Sequence, residues 1–203
     1  MNLPNKLTMF RVILIPVMVI IANIPFLNTN PIFGNVSYAN FINLLIFVVA
    51  SATDFLDGAI ARKYNLVTTF GKFADPLADK LLVISAMVVL CTQIQSLAPL
   101  YTWFIPGWVI ITILCREFIV SGIRLVAVER GTVIAAGFTG KLKTFTTMVA
   151  IIFLFLYQVE IGASNIPLFG YIGAGLMYLA LLFTIISGVE YFWKNRKVIL
   201  ESI

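Results

Sequence analysis

Asp54-Phe55-Leu56-Asp57-Gly58-Ala59-Ile60-Ala61-Arg62, followed after eight residues by Gly71-Lys72-Phe73-Ala74-Asp75-Pro76-Leu77-Ala78-Asp79, sets four carboxylates in an otherwise apolar background. The chain has nine acidic residues in all, so nearly half of its negative charge falls here. On helices, Asp54 and Asp57 are three apart and Asp75 and Asp79 four apart, which puts each pair on one helix face. Four carboxylates brought together stay ionised only if something cationic neutralises them. One or two divalent metal ions are the simplest such charge. Histidine is absent, so a metal site here is built from oxygen ligands, which favours Mg²⁺, Mn²⁺ or Ca²⁺ over zinc. Proton abstraction then falls to a carboxylate, a lysine or water.

The background decides the class. Of 203 residues, 61% are hydrophobic and 11% charged, with mean hydropathy +1.02, against ~25% charged in a soluble domain. This reads as an all-α integral membrane protein, a single domain over residues 1–203. Apolar runs predict six spanning helices, at about 8–24, 40–61, 75–93, 102–128, 138–158 and 170–192. The run from Val12 to Ile24 resembles the apolar part of a signal peptide, but no small-x-small cleavage site follows, and it is read as the first span. Segments 25–40 and 94–101 carry no charge, and 159–169 carries only Glu160. The lysines and arginines lie at the opposite ends of the helices. The positive-inside rule therefore predicts a six-transmembrane-helix bundle with both termini cytoplasmic and the aspartates at the cytoplasmic ends of the second and third helices. The net charge of +5 is a topology signal first and a sign of an anionic substrate second; no nucleic-acid partner is implied. Cys91 and Cys115, without metal-ligand spacing, read as inert core residues. The Asn35-Val36-Ser37 sequon sits in a short loop and means little.

Two ordinary explanations compete with a metal site. Asp54 and Asp57 could pair with Arg62 and Lys63 in a charged loop, but a loop needs no two aspartate pairs at helical spacing. Asp75, followed by Pro76, fits a helix N-cap, which leaves Asp79 unexplained. The functional reading is a two-metal site, with ions about 3.5–4 Å apart clamping the oxygens around a phosphorus during in-line displacement. Gly58 and Gly71, without side chains, let a diphosphate approach the backbone.

The pattern Asp-x-x-Asp-Gly-x-x-Ala-Arg, eight residues, Gly-x-x-x-Asp-x-x-x-Asp resembles the signature of the CDP-alcohol phosphotransferases. It is matched at Asp54, Asp57, Gly58, Ala61, Arg62, Gly71, Asp75 and Asp79. The resemblance implies a six-helix membrane enzyme, usually a homodimer, that transfers a phosphatidyl group from CDP-diacylglycerol to an alcohol and releases CMP. It implies that Asp54, Asp57 and Asp75 bind Mg²⁺ or Mn²⁺, two ions in all. Asp79 is implied as general base and possible further ligand. Gly58, Arg62 and Gly71 would contact the CDP part, with Thr68 a weaker candidate. Such an enzyme belongs in the bacterial cytoplasmic membrane with its site facing the cytoplasm.

Asn2-Leu3-Pro4-Asn5-Lys6-Leu7-Thr8-Met9-Phe10-Arg11 resembles the opening of one branch of that family, the bacterial phosphatidylglycerophosphate synthases. So do Cys115-Arg116-Glu117-Phe118-Ile119-Val120-Ser121-Gly122-Ile123-Arg124 and Gly140-Lys141-Leu142-Lys143-Thr144. The likeness spans about residues 2–145, and the last two helices look generic. It implies glycerol 3-phosphate as acceptor. A dianionic phosphate needs cationic donors, and Arg116, Arg124, Lys141 and Lys143 are the candidates. Arg116 and Arg124, eight apart, can share a face, and Glu117 can order one of them by an ion pair. Lys141 and Lys143, two apart, do not share a face. Arg130, Lys194, Arg196 and Lys197 read as topology signals. Asn5, Thr8 and Arg11 recur at three-residue spacing: they either line the nucleotide site or form a capped interfacial helix start with snorkelling cations. Alternatives within the family are a cardiolipin synthase or an inositol-phosphate transferase. Outside it stands a small ion-coupled transporter, which a cluster at one membrane face argues against.

Overall fold

The computed structural model describes residues 2–33, 35–63, 68–129, 137–159 and 166–200, with the side chains of all of these except 3, 4, 33, 55–63, 69, 70, 72, 129 and 197–200. The six predicted helices correspond to α1 (Leu3–Ala22), α3 (Tyr38–Lys63), α4 (Thr69–Leu97), α5 (Gly107–Glu129), α6 (Phe138–Phe155) and α7 (Leu168–Leu200). A short α2 (Pro25–Thr29) and a two-stranded antiparallel ribbon, β1 (Pro31–Phe33) with β2 (Val36–Ser37), join α1 to α3. The sequon Ser37 belongs to this ribbon and is buried.

Among the described residues, four helices carry stretches long and apolar enough to cross a membrane: Asn5–Ala22, Phe73–Leu97, Phe138–Phe155 and Leu168–Arg196. The apolar part of α3, Tyr38–Asp54, is shorter, and α5 is interrupted by Arg116, Glu117 and Arg124. Apolar residues such as Ile20, Ile111, Phe118, Leu182 and Val189 face outward, whereas Thr8, Arg11, Asn43, Thr147 and Thr184 are buried. An apolar outside over a partly polar inside is the pattern of a protein solvated by lipid. The chain is an all-α membrane protein.

Helix boundaries differ from expectation for local reasons. Helix α4 begins six residues before the predicted start because Thr68, in extended conformation, caps it: its Oγ1 accepts from Gly71 N at 3.0 Å. Asp75 is therefore not an N-cap, and Pro76 lies inside the helix, where it has no N–H to give the Lys72 carbonyl. The predicted start of the fourth span at 102 falls in a 3₁₀ turn, Pro99–Phe104; α5 starts beyond Ile105-Pro106, since proline disfavours helical backbone in the residue before it.

The core runs along the bundle through Met18, Phe47, Leu82, Met87, Leu90, Ile113, Ile151, Leu154 and Phe155. Helix α7 packs closely against α6 and the 3₁₀ turn because it presents glycine there. A Cβ on Gly170 would lie 2.2 Å from the Phe104 ring, and one on Gly173 2.8 Å from Leu154 Cγ and 3.0 Å from its backbone nitrogen. Away from the aspartates, Gln158 Oε1 accepts from Ser37 N at 2.9 Å and Asn40 Nδ2 at 2.8 Å, tying α3 to the end of α6. Cys91 is buried as expected, but Cys115 is exposed on α5, on the face opposite the core residue Ile113 and its neighbours.

Candidate active site

The site is built where α1 lies along α4. Both helices run in the same direction, because successive polar residues of α1 meet successive positions of α4. Thr68 Oγ1 donates to Asn5 Oδ1 at 3.0 Å, Thr8 Oγ1 to Asp75 Oδ1 at 2.5 Å, and Arg11 Nη1 to Asp79 Oδ1 at 2.6 Å. Further along, Gln93 Nε2 donates to Asn28 Oδ1 at 3.0 Å, in the same register. The three-residue spacing of Asn5, Thr8 and Arg11 is what makes this ladder possible, since it keeps them on one stripe of α1. All three are buried, Arg11 completely. They are not a solvated helix start.

Arg11 joins three helices. Its Nη1 also lies 3.0 Å from Asp54 Oδ1 on α3, so one nitrogen touches carboxylates from both α3 and α4. Asp54 and Asp79 are each about a third exposed toward a cavity, and charge-assisted contacts of this length fix their direction. Gly71 also matters for helix packing. A Cβ there would stand 3.0 Å from Asn5 Oδ1 and 3.2 Å from Thr68 Oγ1, so the missing side chain admits Asn5 of α1 to the start of α4. The side chains of Asp57 and Arg62, and Gly58 between them, lie outside the described residues, as does Arg130; the backbone of 57–62 continues α3.

Among the described residues, no three carboxylates are grouped as a metal cluster. The donor set nevertheless fits a hard divalent cation. Asp54 and Asp79 present oxygens to one small space, Asp75 stands one helical turn from Asp79, and no nitrogen or sulfur ligand accompanies them.

One cavity opens at these aspartates and a second adjoins it. The smaller, about 270 Å³, is lined by Asp54, Pro76, Asp79, Lys143 and Thr147. The larger, about 600 Å³, is lined by Arg116, Arg124, Thr139, Lys141, Ser187, Glu190, Tyr191 and Lys194. Lys80, Glu117, Thr144 and Met148 line both and form the wall between them. The four candidate acceptor cations are thus divided: Arg116, Arg124 and Lys141 face the larger cavity, and Lys143 the smaller. Glu117 orders two of them, with Oε1 2.9 Å from both Arg116 Nη1 and Lys143 Nζ. Arg116 Nη2 also donates to Ser187 Oγ at 2.9 Å. Arg124 donates from Nε to Tyr191 Oη at 3.4 Å, with its guanidinium 5.6 Å from the centre of that ring.

Helix α7 is accordingly not generic. Ser187, Glu190 and Tyr191 close the larger cavity, and Glu190 accepts from Thr139 Oγ1 at 2.9 Å and pairs with Lys194 at 2.5 Å. The sequence signal was present: a polar run at 184, 187, 190 and 191 in an apolar helix repeats at near-helical intervals. Lys80, which follows Asp79 directly, faces both cavities.

The chain is similar to known proteins along nearly its whole length. Residues 1–186 match the family described as CDP-alcohol phosphatidyltransferase. The chain belongs to the CDP-alcohol phosphatidyltransferase family. It is 42% identical over 204 residues to the CDP-diacylglycerol–glycerol-3-phosphate 3-phosphatidyltransferase of Bacillus subtilis (strain 168), covering 99% of this chain and 98% of that protein. The protein of the same name from Rickettsia typhi is 40% identical, over 94% of this chain and 95% of its own length. That of Salmonella choleraesuis is 35% identical, over 99% and 98%. CDP-alcohol phosphatidyltransferases in general use divalent metal ions, which agrees with an oxygen-only donor set.

Proposed function

We propose that this enzyme transfers the phosphatidyl group of CDP-diacylglycerol to sn-glycerol 3-phosphate, giving phosphatidylglycerophosphate and CMP. The observation that carries the reading is the pair of adjoining cavities, one with Asp54 and Asp79 and the other with Arg116, Arg124 and Lys141. An acceptor with a hydroxyl at one end and a phosphate at the other needs both, side by side. Near full-length similarity to relatives bearing that enzyme name supports the same acceptor.

Asp79 takes the proton of the acceptor 1-hydroxyl, whose oxygen attacks the β-phosphorus of the CDP-lipid in line; the bond to CMP breaks and CMP leaves. Arg11 keeps the Asp79 carboxylate aimed before the acceptor binds. Asp54, Asp57 and Asp75, with Asp79 beside them, would hold a pair of Mg²⁺ or Mn²⁺ ions, which when bound would stabilise the charge of the diphosphate. Gly58, Arg62, Gly71 and Thr68 border the nucleotide, with Asn5 and Thr8 ordering Thr68 and Asp75. Arg116, Arg124, Lys141 and Lys143 neutralise the acceptor phosphate, the last from the neighbouring cavity.

All six long helices span the bacterial cytoplasmic membrane, with the termini and both cavities on the cytoplasmic side, as a single domain acting as a homodimer. Light scattering from detergent-solubilised protein tests the dimer, and a one-chain mass overturns it. The reaction is tested by CMP release from CDP-diacylglycerol with Mn²⁺ or Mg²⁺, offering glycerol 3-phosphate, phosphatidylglycerol, inositol 1-phosphate and serine in turn. Turnover with glycerol 3-phosphate alone is expected; preference for another acceptor overturns the assignment while leaving the family intact.

A further inference from the structure

Asp79 and Lys80 are neighbours on α4, about 100° apart around the helix. Asp79 reaches toward α1 and α3. Lys80 reaches toward α5, where its Nζ donates to Ser121 Oγ. That places an ammonium in the wall between the two cavities.

The other groups in this wall do not serve an anion. Met148 has no donor. Thr144 donates its hydroxyl to the Gly140 carbonyl at 3.1 Å. Glu117 is a carboxylate already engaged with Arg116 and Lys143, and it repels phosphate. Lys80 has three N–H donors, of which Ser121 takes one. Ser121 in turn donates to the Glu117 carbonyl at 2.6 Å, which fixes its oxygen as the acceptor for Lys80.

We infer that Lys80 is the group that measures the acceptor: its ammonium holds the phosphate of glycerol 3-phosphate at the wall between the cavities, so that the hydroxyl at the far end of the three-carbon chain lies at Asp79. This rests on the proposed reaction. Base and anchor are consecutive residues on one helix, and Ser121 holds the end of the flexible lysine side chain, so the distance between them does not depend on a loop. The arrangement selects acceptors in which an anionic phosphate lies a fixed short distance from the attacking hydroxyl.

The test compares Lys80→Gln and Lys80→Arg with the wild type in the detergent CMP-release assay, with folding checked by gel filtration. In Lys80→Gln the KM for glycerol 3-phosphate is expected to rise about tenfold or more. The KM for CDP-diacylglycerol should stay within about twofold, and the preference for glycerol 3-phosphate over glycerol should shrink. Lys80→Arg, which keeps the charge, should recover most of the acceptor KM. Lys80→Met repeats the comparison if Lys80→Gln does not fold. An unmoved acceptor KM, or equal rises in both KM values, overturns the assignment of Lys80 while the reaction stands. Wild-type protein that releases no CMP with glycerol 3-phosphate overturns the reaction and this assignment together.

Discussion

At the scale of residues, the site depends on buried charge meeting its partner. Arg11 has no exposed surface and contacts two carboxylates through one nitrogen. Arg11→Gln keeps much of the volume but removes the charge, leaving Asp54 and Asp79 to repel each other. We expect a loss of about 1–3 kcal/mol, read as a lower unfolding temperature in detergent, together with a large fall in kcat. Normal thermal stability in this variant would show that the pairing contributes nothing to the fold. Asp79→Asn is expected to abolish CMP release while keeping CDP binding, measured by isothermal titration, because the amide preserves shape and removes the base. Activity near wild type would remove Asp79 from the chemistry. The spacing of Asn5, Thr8 and Arg11 shows that they share a face of α1, but not that Arg11 meets Asp54 and Asp79, a contact that only the packing of α1 on α3 and α4 reveals.

At the scale of elements, glycine placement decides how closely helices approach. On α7, Gly173 faces Leu154 so tightly that a Cβ would lie 3.0 Å from its backbone nitrogen, whereas a Cβ on Gly175 meets nothing within 4 Å. Gly173→Val should therefore destabilise by about 1–3 kcal/mol through overpacking. Gly175→Ala should be neutral or stabilising by up to about 1 kcal/mol, since alanine favours helix. Thermal unfolding of the two variants in detergent checks the contrast, and equal behaviour would deny the close α6–α7 packing. The existence of α1, α3, α4, α5, α6 and α7 as helices was legible in the apolar runs, because a helix satisfies its backbone polar groups within itself where water is scarce. Their ends were less so. Thr68 as the cap of α4 required knowing that Asp75 and Pro76 lie inside the helix, and an Asp-Pro pair reads locally as a start signal.

At the scale of the whole molecule, the charge asymmetry predicts sides of the membrane that can be measured. In a background with Cys91 and Cys115 replaced by alanine, Leu100→Cys should react with an impermeant maleimide from outside intact cells. Lys194→Cys should react only after the membrane is opened. Both positions are exposed; reversed labelling would invert the topology and put the cavities on the wrong side for a cytoplasmic acceptor. The sequence by itself determined the class, the helices and the family, because each rests on a local or periodic property: apolar run length, carboxylates at spacings of three and four, and a motif within 26 residues. Only the tertiary structure decided which side chains share a cavity. It laid α1 along α4 so that Arg11 reaches Asp79, and it sent Lys143 and Lys141 to different cavities. It also brought Ser187 and Tyr191 of α7 to Arg116 and Arg124 of α5. Such contacts join residues 67 to 71 positions apart, and no periodicity within one helix specifies which neighbour it will meet.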